Sequence, residues 1–209
     1  QDSVRTNTAV VAWIGYEAPA ADDKAAVLMP GAASDGGKLL AADVAGIRAA
    51  RGDLPQPHVT VIGHSYGSVT TGYAATADHL AANDIILIGS PGTPAAHASD
   101  LGPAGHVFVG AASADPVSYT SYFGVDPAER SFHAIRFEAE NSGLKFWKDH
   151  SKYYDDGSES LYNLAEITTG HYDRLLYAPN RGVHIPFVGD VNNGYDPQSF
   201  HTATHPKPG

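Results

Sequence analysis

The chain has 209 residues, of which 43% are apolar and 17% charged, enough to bury one sizeable core and too apolar for a disordered polypeptide. With 23 acidic against 13 basic residues the formal net charge is -10, which repels nucleic-acid phosphates and anionic lipid, so no nucleic-acid partner is expected. Cysteine is absent, which excludes disulfides, thiolate catalysis and cysteine-ligated metal centres, and no apolar run approaches the ~20 residues that span a bilayer.

In chain order, residues 9–14 read as a first strand ending at Gly15, and residues 19–37 stay open, since 25–29 fits either a short strand or a helical turn. Leu39, Leu40, Val44 and Ile47 recur at near-helical spacing within 38–51, where Gly52 and Pro55 stop the helix. Residues 59–62 form a second strand that runs directly into an Ala- and Thr-rich helix over 65–82. Further strands fall at 85–88, 106–109 and 132–137, and Leu161, Leu164, Ala165 and Ile167 mark a last helix over 158–169. This alternation predicts an α/β fold, with a mostly parallel sheet of about five or six strands, helices on both faces and ligands held at the carboxyl edge. From about residue 175 Pro, Gly, Asn, His and aromatics follow without periodicity, which predicts an irregular tail packed over a single domain of residues 1–209. The first residue is Gln1, as in an exported mature form or a trimmed chain.

The segment Val59-Thr60-Val61-Ile62-Gly63-His64-Ser65-Tyr66-Gly67-Ser68 is a strand entering Gly-x-Ser-x-Gly with a helix behind it, the context of a nucleophile elbow. Ser65 must sit on a tight, strained turn that lifts its hydroxyl above the sheet, and Gly63 and Gly67 are expected to lack the Cβ atoms that would collide there. A serine nucleophile needs a base and an orienting acid, in the chain order Ser, acid, His. Asp115, in the loop that leaves the strand at 106–109, is the candidate acid, with Asp100 and Asp126 as rivals of the turn or cap kind. Among 11 histidines, His150 lies past the last strand, where a base can hang over Ser65, and His171 is its rival. His64 adjoins the nucleophile and is expected to point elsewhere, His133 to lie inside a strand, and His58 and His106 to precede strands. The oxyanion hole is expected from the amide of Tyr66 and the amide of Tyr16 after Gly15, unless Gly15 merely ends its strand.

At this point the sequence resembles a bacterial alpha/beta-hydrolase family of unknown function whose members are mostly assigned as esterases or lipases. The likeness rests on Trp13-Ile-Gly-Tyr-Glu-Ala-Pro, Gly63-His-Ser-Tyr-Gly-Ser, Ile88-Gly-Ser-Pro-Gly, Ala114-Asp-Pro-Val, the Gly124-Val-Asp-Pro loop and His150-Ser-Lys-Tyr, and spans roughly residues 8 to 170. It implies Ser65, Asp115 and His150 as the triad. A long region that precedes the likeness in such proteins is missing here, so a minimal, cutinase-like sheet is expected, and the tail after Leu175 lies outside the likeness.

Residues 89–106 leave no room for an inserted cap domain, so an open site is expected. Tyr119, Tyr122 and Phe123 after the acid, and Leu144, Phe146 and Trp147 before the histidine, either line the groove or form core under loops. Lining the groove, they favour an apolar acyl or aromatic ester, a small-molecule or lipid substrate, over a peptide or phosphate. The expected activity is therefore carboxylic-ester hydrolysis without a cofactor. The same triad serves acyl transfer or thioester or amide cleavage, and a catalytically silent binding module is the alternative outside enzymes. Asp190-Val-Asn192-Asn-Gly194-Tyr-Asp196 superficially resembles a calcium loop but lacks the later bidentate Glu and reads as an Asn-Gly turn, and His201 and His205 read as solvated.

Overall fold

A computed structural model of the chain describes residues 7–19, 29–112, 115–139, 149–178, 182–185 and 189–192. Four parallel strands, β1 (Thr60–His64), β2 (Asp84–Ile88), β3 (Val107–Gly110) and β4 (Ile135–Phe137), pair in chain order, Gly63 beside Leu87, Leu87 beside Val109 and Val109 beside Arg136. Side chains alternate across a strand, so a strand covered on both faces must be apolar on both. β2 and β3 meet that demand. Ile85, Leu87, Val107 and Val109 pack with Leu40, Ala41 and Val44 of α1 (Gly31–Ala49) and Ala74 of α2 (Tyr66–Ala77). Ile86, Ile88, Phe108 and Phe137 pack on the other face with Leu164 and Ile167 of α3 (Glu159–Thr168), whose first turn is capped by the Ser158 hydroxyl accepting the Leu161 amide. No helix among the described residues is long and apolar enough to cross a membrane.

Several elements differ from the sequence-based expectation. Residues 9–14 form no strand: no neighbouring strand pairs with them among the described residues, and Val10, Val11 and Ile14 remain 92%, 71% and 89% exposed. The helix expected from residue 38 begins at Gly31, because its glycines permit close packing that hydrophobic periodicity does not report. A Cβ on Gly37 would lie 2.8 Å from the Ala74 amide nitrogen and one on Gly36 2.7 Å from the Tyr16 ring. The helix expected to reach residue 82 stops at Ala77, and His79 follows with a left-handed backbone (φ 55°). Only Ile135–Phe137 of the run 132–137 is strand; Phe132 is buried in a 3-10 turn closed by His133, whose φ of 64° is incompatible with the strand position expected for it.

The tail expected to be irregular is partly ordered into strand pairing. Tyr177 bridges Phe137 antiparallel, with the Glu138 amide on the Leu176 carbonyl at 2.7 Å and the Ala178 amide on the Arg136 carbonyl at 3.2 Å. Beyond it, β5 (Gly182–Ile185) and β6 (Gly189–Asn192) form an antiparallel pair. Asp190 and Asn192 of the calcium-like segment lie in β6, whereas Gly194, Asp196, His201 and His205 fall outside the described residues.

The amino edge of the sheet is tied by one carboxylate. Asp84, fully buried at the start of β2, accepts from His58 Nε2 at 2.6 Å, His106 Nδ1 at 2.7 Å and the Tyr172 hydroxyl at 2.8 Å. It thereby joins the approaches to β1 and β3 to the segment after α3. Burial, and then the adjacent Asp84, hold the Tyr172 phenol well above its ordinary value. A proton retained more tightly in the folded state means that this bond's stabilisation is complete below the unfolded tyrosine pKa of ~10 and declines as pH rises beyond it. Replacing Asp84 by Ala strands His58, His106 and Tyr172, the two histidines partly solvated, besides a long 3.5 Å bond from Thr60 Oγ1, and should cost about 2–3 kcal/mol, lowering Tm by roughly 4–12 °C near neutral pH. Thermal unfolding followed by circular dichroism checks this; an unchanged Tm would show that the clamp contributes nothing.

Candidate active site

β1 ends at His64 and α2 begins at Tyr66, which leaves a single residue to reverse the chain. Ser65 does so at φ 53° and ψ -127°, a conformation that L-residues adopt only when their surroundings impose it. The helix can leave the strand this steeply because Gly63 has no side chain: a Cβ there would lie 2.7 Å from both the Gly67 carbonyl and Thr71 Oγ1. Gly67 does not share this role, since a Cβ at that position would meet nothing within 4 Å. The turn is anchored on both sides of Ser65. Its amide donates to the Ile88 carbonyl at 3.0 Å, and its carbonyl accepts from Ser68 Oγ at 2.6 Å, which itself lies 2.8 Å from the Ser90 hydroxyl.

The Ser65 hydroxyl oxygen lies 2.7 Å from His150 Nε2, and His150 Nδ1 lies 2.9 and 3.0 Å from the two carboxylate oxygens of Asp115. Asp115 follows β3 and is fully buried, whereas the His150 side chain, on the 3-10 turn Asp149–Ser151, keeps 25% of its surface exposed. A carboxylate that accepts at Nδ1 fixes the imidazole tautomer with an unprotonated Nε2, which can take the serine proton. Burial alone would push the Asp115 carboxyl up, but bonds from His150, Tyr153 and the Val117 amide, together with the charge of His150, outweigh it and hold the group below the ordinary aspartate value.

The rivals are engaged elsewhere. Asp100 caps a short turn by accepting the Ala96 and His97 amides, and Asp126 accepts the Ala128 amide. His171 is hydrogen-bonded to Thr169 Oγ1 at 2.9 Å, with the Glu166 carboxylate 3.3 Å away, beyond the end of α3. His58 and His106 belong to the Asp84 clamp.

Of the residues expected around the nucleophile, Tyr66 is the first residue of α2, so its amide has no intrahelical acceptor and points from the helix N-terminus. Its hydroxyl donates to the Met29 carbonyl at 2.5 Å and accepts the Ala33 amide at 3.1 Å. Tyr16 lies between α1 and α2, its hydroxyl 3.1 Å from Thr70 Oγ1 and its ring stacked on Trp13 at 5.5 Å. That stack needs Gly15, whose Cβ would sit 2.6 Å from the Trp13 ring, and Trp13 Nε1 donates to Asp43 of α1 at 2.7 Å. Phe123 meets the Tyr66 ring edge-on at 5.5 Å and Tyr122 at 5.0 Å, so three aromatic rings are in contact in a row, from Tyr66 beside Ser65 to the exposed Tyr122. Tyr119 is half-buried in the turn after Asp115, whereas Leu144, Phe146 and Trp147 fall outside the described residues.

Three contacts were not anticipated from the sequence. His64 does not point away from the site: its Nε2 donates to the His150 carbonyl at 2.7 Å and its ring lies 5.0 Å from the His150 ring. Burial lowers its pKa, only partly countered by that hydrogen bond, so the neutral donor form is favoured. Tyr153, fully buried, donates its hydroxyl to Asp115 Oδ2 at 2.7 Å. Gly89, at φ 54°, lies beneath both; a Cβ there would come within 2.9 Å of Asp115 Oδ2 and Tyr153 and 3.2 Å of His150 Nδ1. The quoted segments Gly63-His-Ser, Ile88-Gly-Ser and His150-Ser-Lys-Tyr contain all three residues, yet spacing alone carries no sign of what they touch.

Comparison with known proteins agrees with this architecture. An uncharacterized protein of Mycobacterium tuberculosis is 38% identical over 220 residues, covering 88% of this chain and 33% of its own length. An uncharacterized protein of Mycobacterium bovis is 40% identical over 101 residues, covering 48% of this chain and 36% of its own. The chain thus spans about a third of the length of these curated relatives. No solved structure matches it. Residues 1–125 match the alpha/beta hydrolase family, a stretch that takes in β1, the Ser65 turn, α2 and Asp115, and the chain belongs to that family.

Proposed function

We propose that this chain is a serine hydrolase that cleaves carboxylic esters, with Ser65 as nucleophile, His150 as general base and acid, and Asp115 as the orienting carboxylate. The observation that carries this reading is the unbroken hydrogen-bond line from Ser65 Oγ through His150 to a buried carboxylate, at 2.7 and 2.9 Å, ending on a serine held in a strained turn. Ser65 Oγ attacks the ester carbonyl carbon as its proton passes to His150 Nε2. The C–O bond to the alcohol breaks as that proton is delivered to the leaving oxygen, and an acyl group remains on Ser65. Water, deprotonated by the same imidazole, then releases the acid and restores the serine. The negative oxygen of each tetrahedral intermediate is assigned to the Tyr66 amide at the head of α2, with the Tyr16 amide as the second donor expected from the sequence. The three side chains supply nucleophile, base and orienting charge, so the reaction draws on no cofactor.

The row Tyr66, Phe123 and Tyr122 supports an apolar acyl chain or aromatic group as the preferred substrate part, since aromatic walls gain most from covering apolar surface.

Two sets of measurements test the reading. Ser65→Ala should lose about 10³-fold or more in kcat toward p-nitrophenyl esters with its circular dichroism unchanged, and His150→Ala should lose nearly as much. The double variant should be little worse than either, because the residues act as one unit. Turnover near the wild-type level in Ser65→Ala would sink the assignment. Across p-nitrophenyl esters of rising acyl length, Phe123→Ala should lower kcat/KM for the longer chains by about tenfold and leave acetate within about twofold. A uniform loss at every length would place Phe123 outside the acyl site.

A further inference from the structure

Asp115 is held by more than its histidine, and the extra group comes from the loop that carries the base. Tyr153 lies three residues after His150 and is fully buried. Its hydroxyl oxygen receives the Ala112 amide at 3.0 Å and lies 2.7 Å from Asp115 Oδ2. With an N–H already directed at the phenol oxygen, its single proton goes to the carboxylate. The other oxygen, Oδ1, accepts the Val117 amide at 2.9 Å, so the carboxylate is clamped from both sides while both oxygens face His150 Nδ1. Close packing fixes the ring as well, because Gly89 sits against Asp115 and Tyr153 at distances that admit no Cβ.

From this geometry we infer that Tyr153 is a positioning residue for the proposed triad, a fourth member that orients Asp115 through its hydroxyl and tempers the negative charge felt by His150. The inference rests on the serine-hydrolase reading above. Other groups facing the pair are the buried His64 ring, which donates to the His150 carbonyl, the Ser118 hydroxyl on the Asp115 carbonyl, and the Ser65 hydroxyl itself. Tyr154 contributes only its ring, edge-on to His64 at 6.0 Å. Tyr153 and His150 thus reach Asp115 from one short segment.

Tyr153→Phe removes the hydroxyl and keeps the ring. Asp115 then has one donor fewer, bears more charge toward the imidazole and stabilises imidazolium better, so the base holds its proton to higher pH. The expected result is a kcat about tenfold lower with KM within about twofold, and an acid limb of kcat/KM displaced to higher pH, measured beside the wild type and Ser65→Ala. Thermal unfolding of the same variant separates the two roles. A lowered Tm with wild-type kcat and an unmoved acid limb would reduce Tyr153 to packing and overturn the inference, leaving the triad intact. Retention of turnover by Ser65→Ala would overturn both.

Discussion

Ser65 sits in a backbone conformation that costs of order 1–3 kcal/mol, and the arrangement of the sheet is what holds it there (φ 53°, ψ -127°). The amide of Ser65 is tied to the end of β2, its carbonyl to the Ser68 hydroxyl in the first turn of α2, and the missing Cβ of Gly63 lets that helix descend onto the strand. Each hydrogen bond contributes about 1 kcal/mol, comparable to the strain, and one of them reaches across to the end of β2, so the turn depends on the neighbouring strand. One consequence is a hydroxyl raised at the carboxyl edge of a parallel sheet, beside the N-terminus of α2.

The sheet has two chemically distinct edges. At the carboxyl edge the loops after β1, β2 and β3 supply Ser65, Gly89 and Asp115, and the turn Asp149–Ser151 supplies His150. At the amino edge Asp84 gathers His58, His106 and Tyr172. Both clusters centre on a fully buried aspartate bonded to histidine and tyrosine, yet among the described residues only the Asp115 cluster has a serine hydroxyl at the remaining imidazole nitrogen. Between them β2 and β3 are apolar on both faces, so the carboxyl edge is mounted on a close-packed apolar layer.

How much of this could be read in advance follows from the range of each interaction. The strand, elbow and helix around Ser65 are local, and their signal is a run of β-branched residues followed by two glycines flanking a serine, so they are legible. The short continuous apolar runs at 85–88 and 106–109 give β2 and β3 to within a residue or two. The run 9–14 is as apolar, but a strand exists only through its neighbour, and propensity contains no information about a partner. Helix α1 was missed over its first turns because Gly36 and Gly37 act through the absence of side chains against α2 and Tyr16. Likewise His64, Tyr153 and Gly89 meet Asp115 and His150 through contacts that join separate loops, some of them tens of residues apart in the chain.

The most direct test of an activated serine in this fold is covalent. A fluorophosphonate reacts only where a serine oxygen can displace fluoride with its proton removed, so incubation followed by peptide mapping identifies the residue without assuming a substrate. One phosphonyl group per chain, located on the peptide containing Ser65 and lost in Ser65→Ala, is the predicted result. No adduct at Ser65, or equal labelling of both proteins at another hydroxyl such as Ser68 or Ser90, would contradict the account.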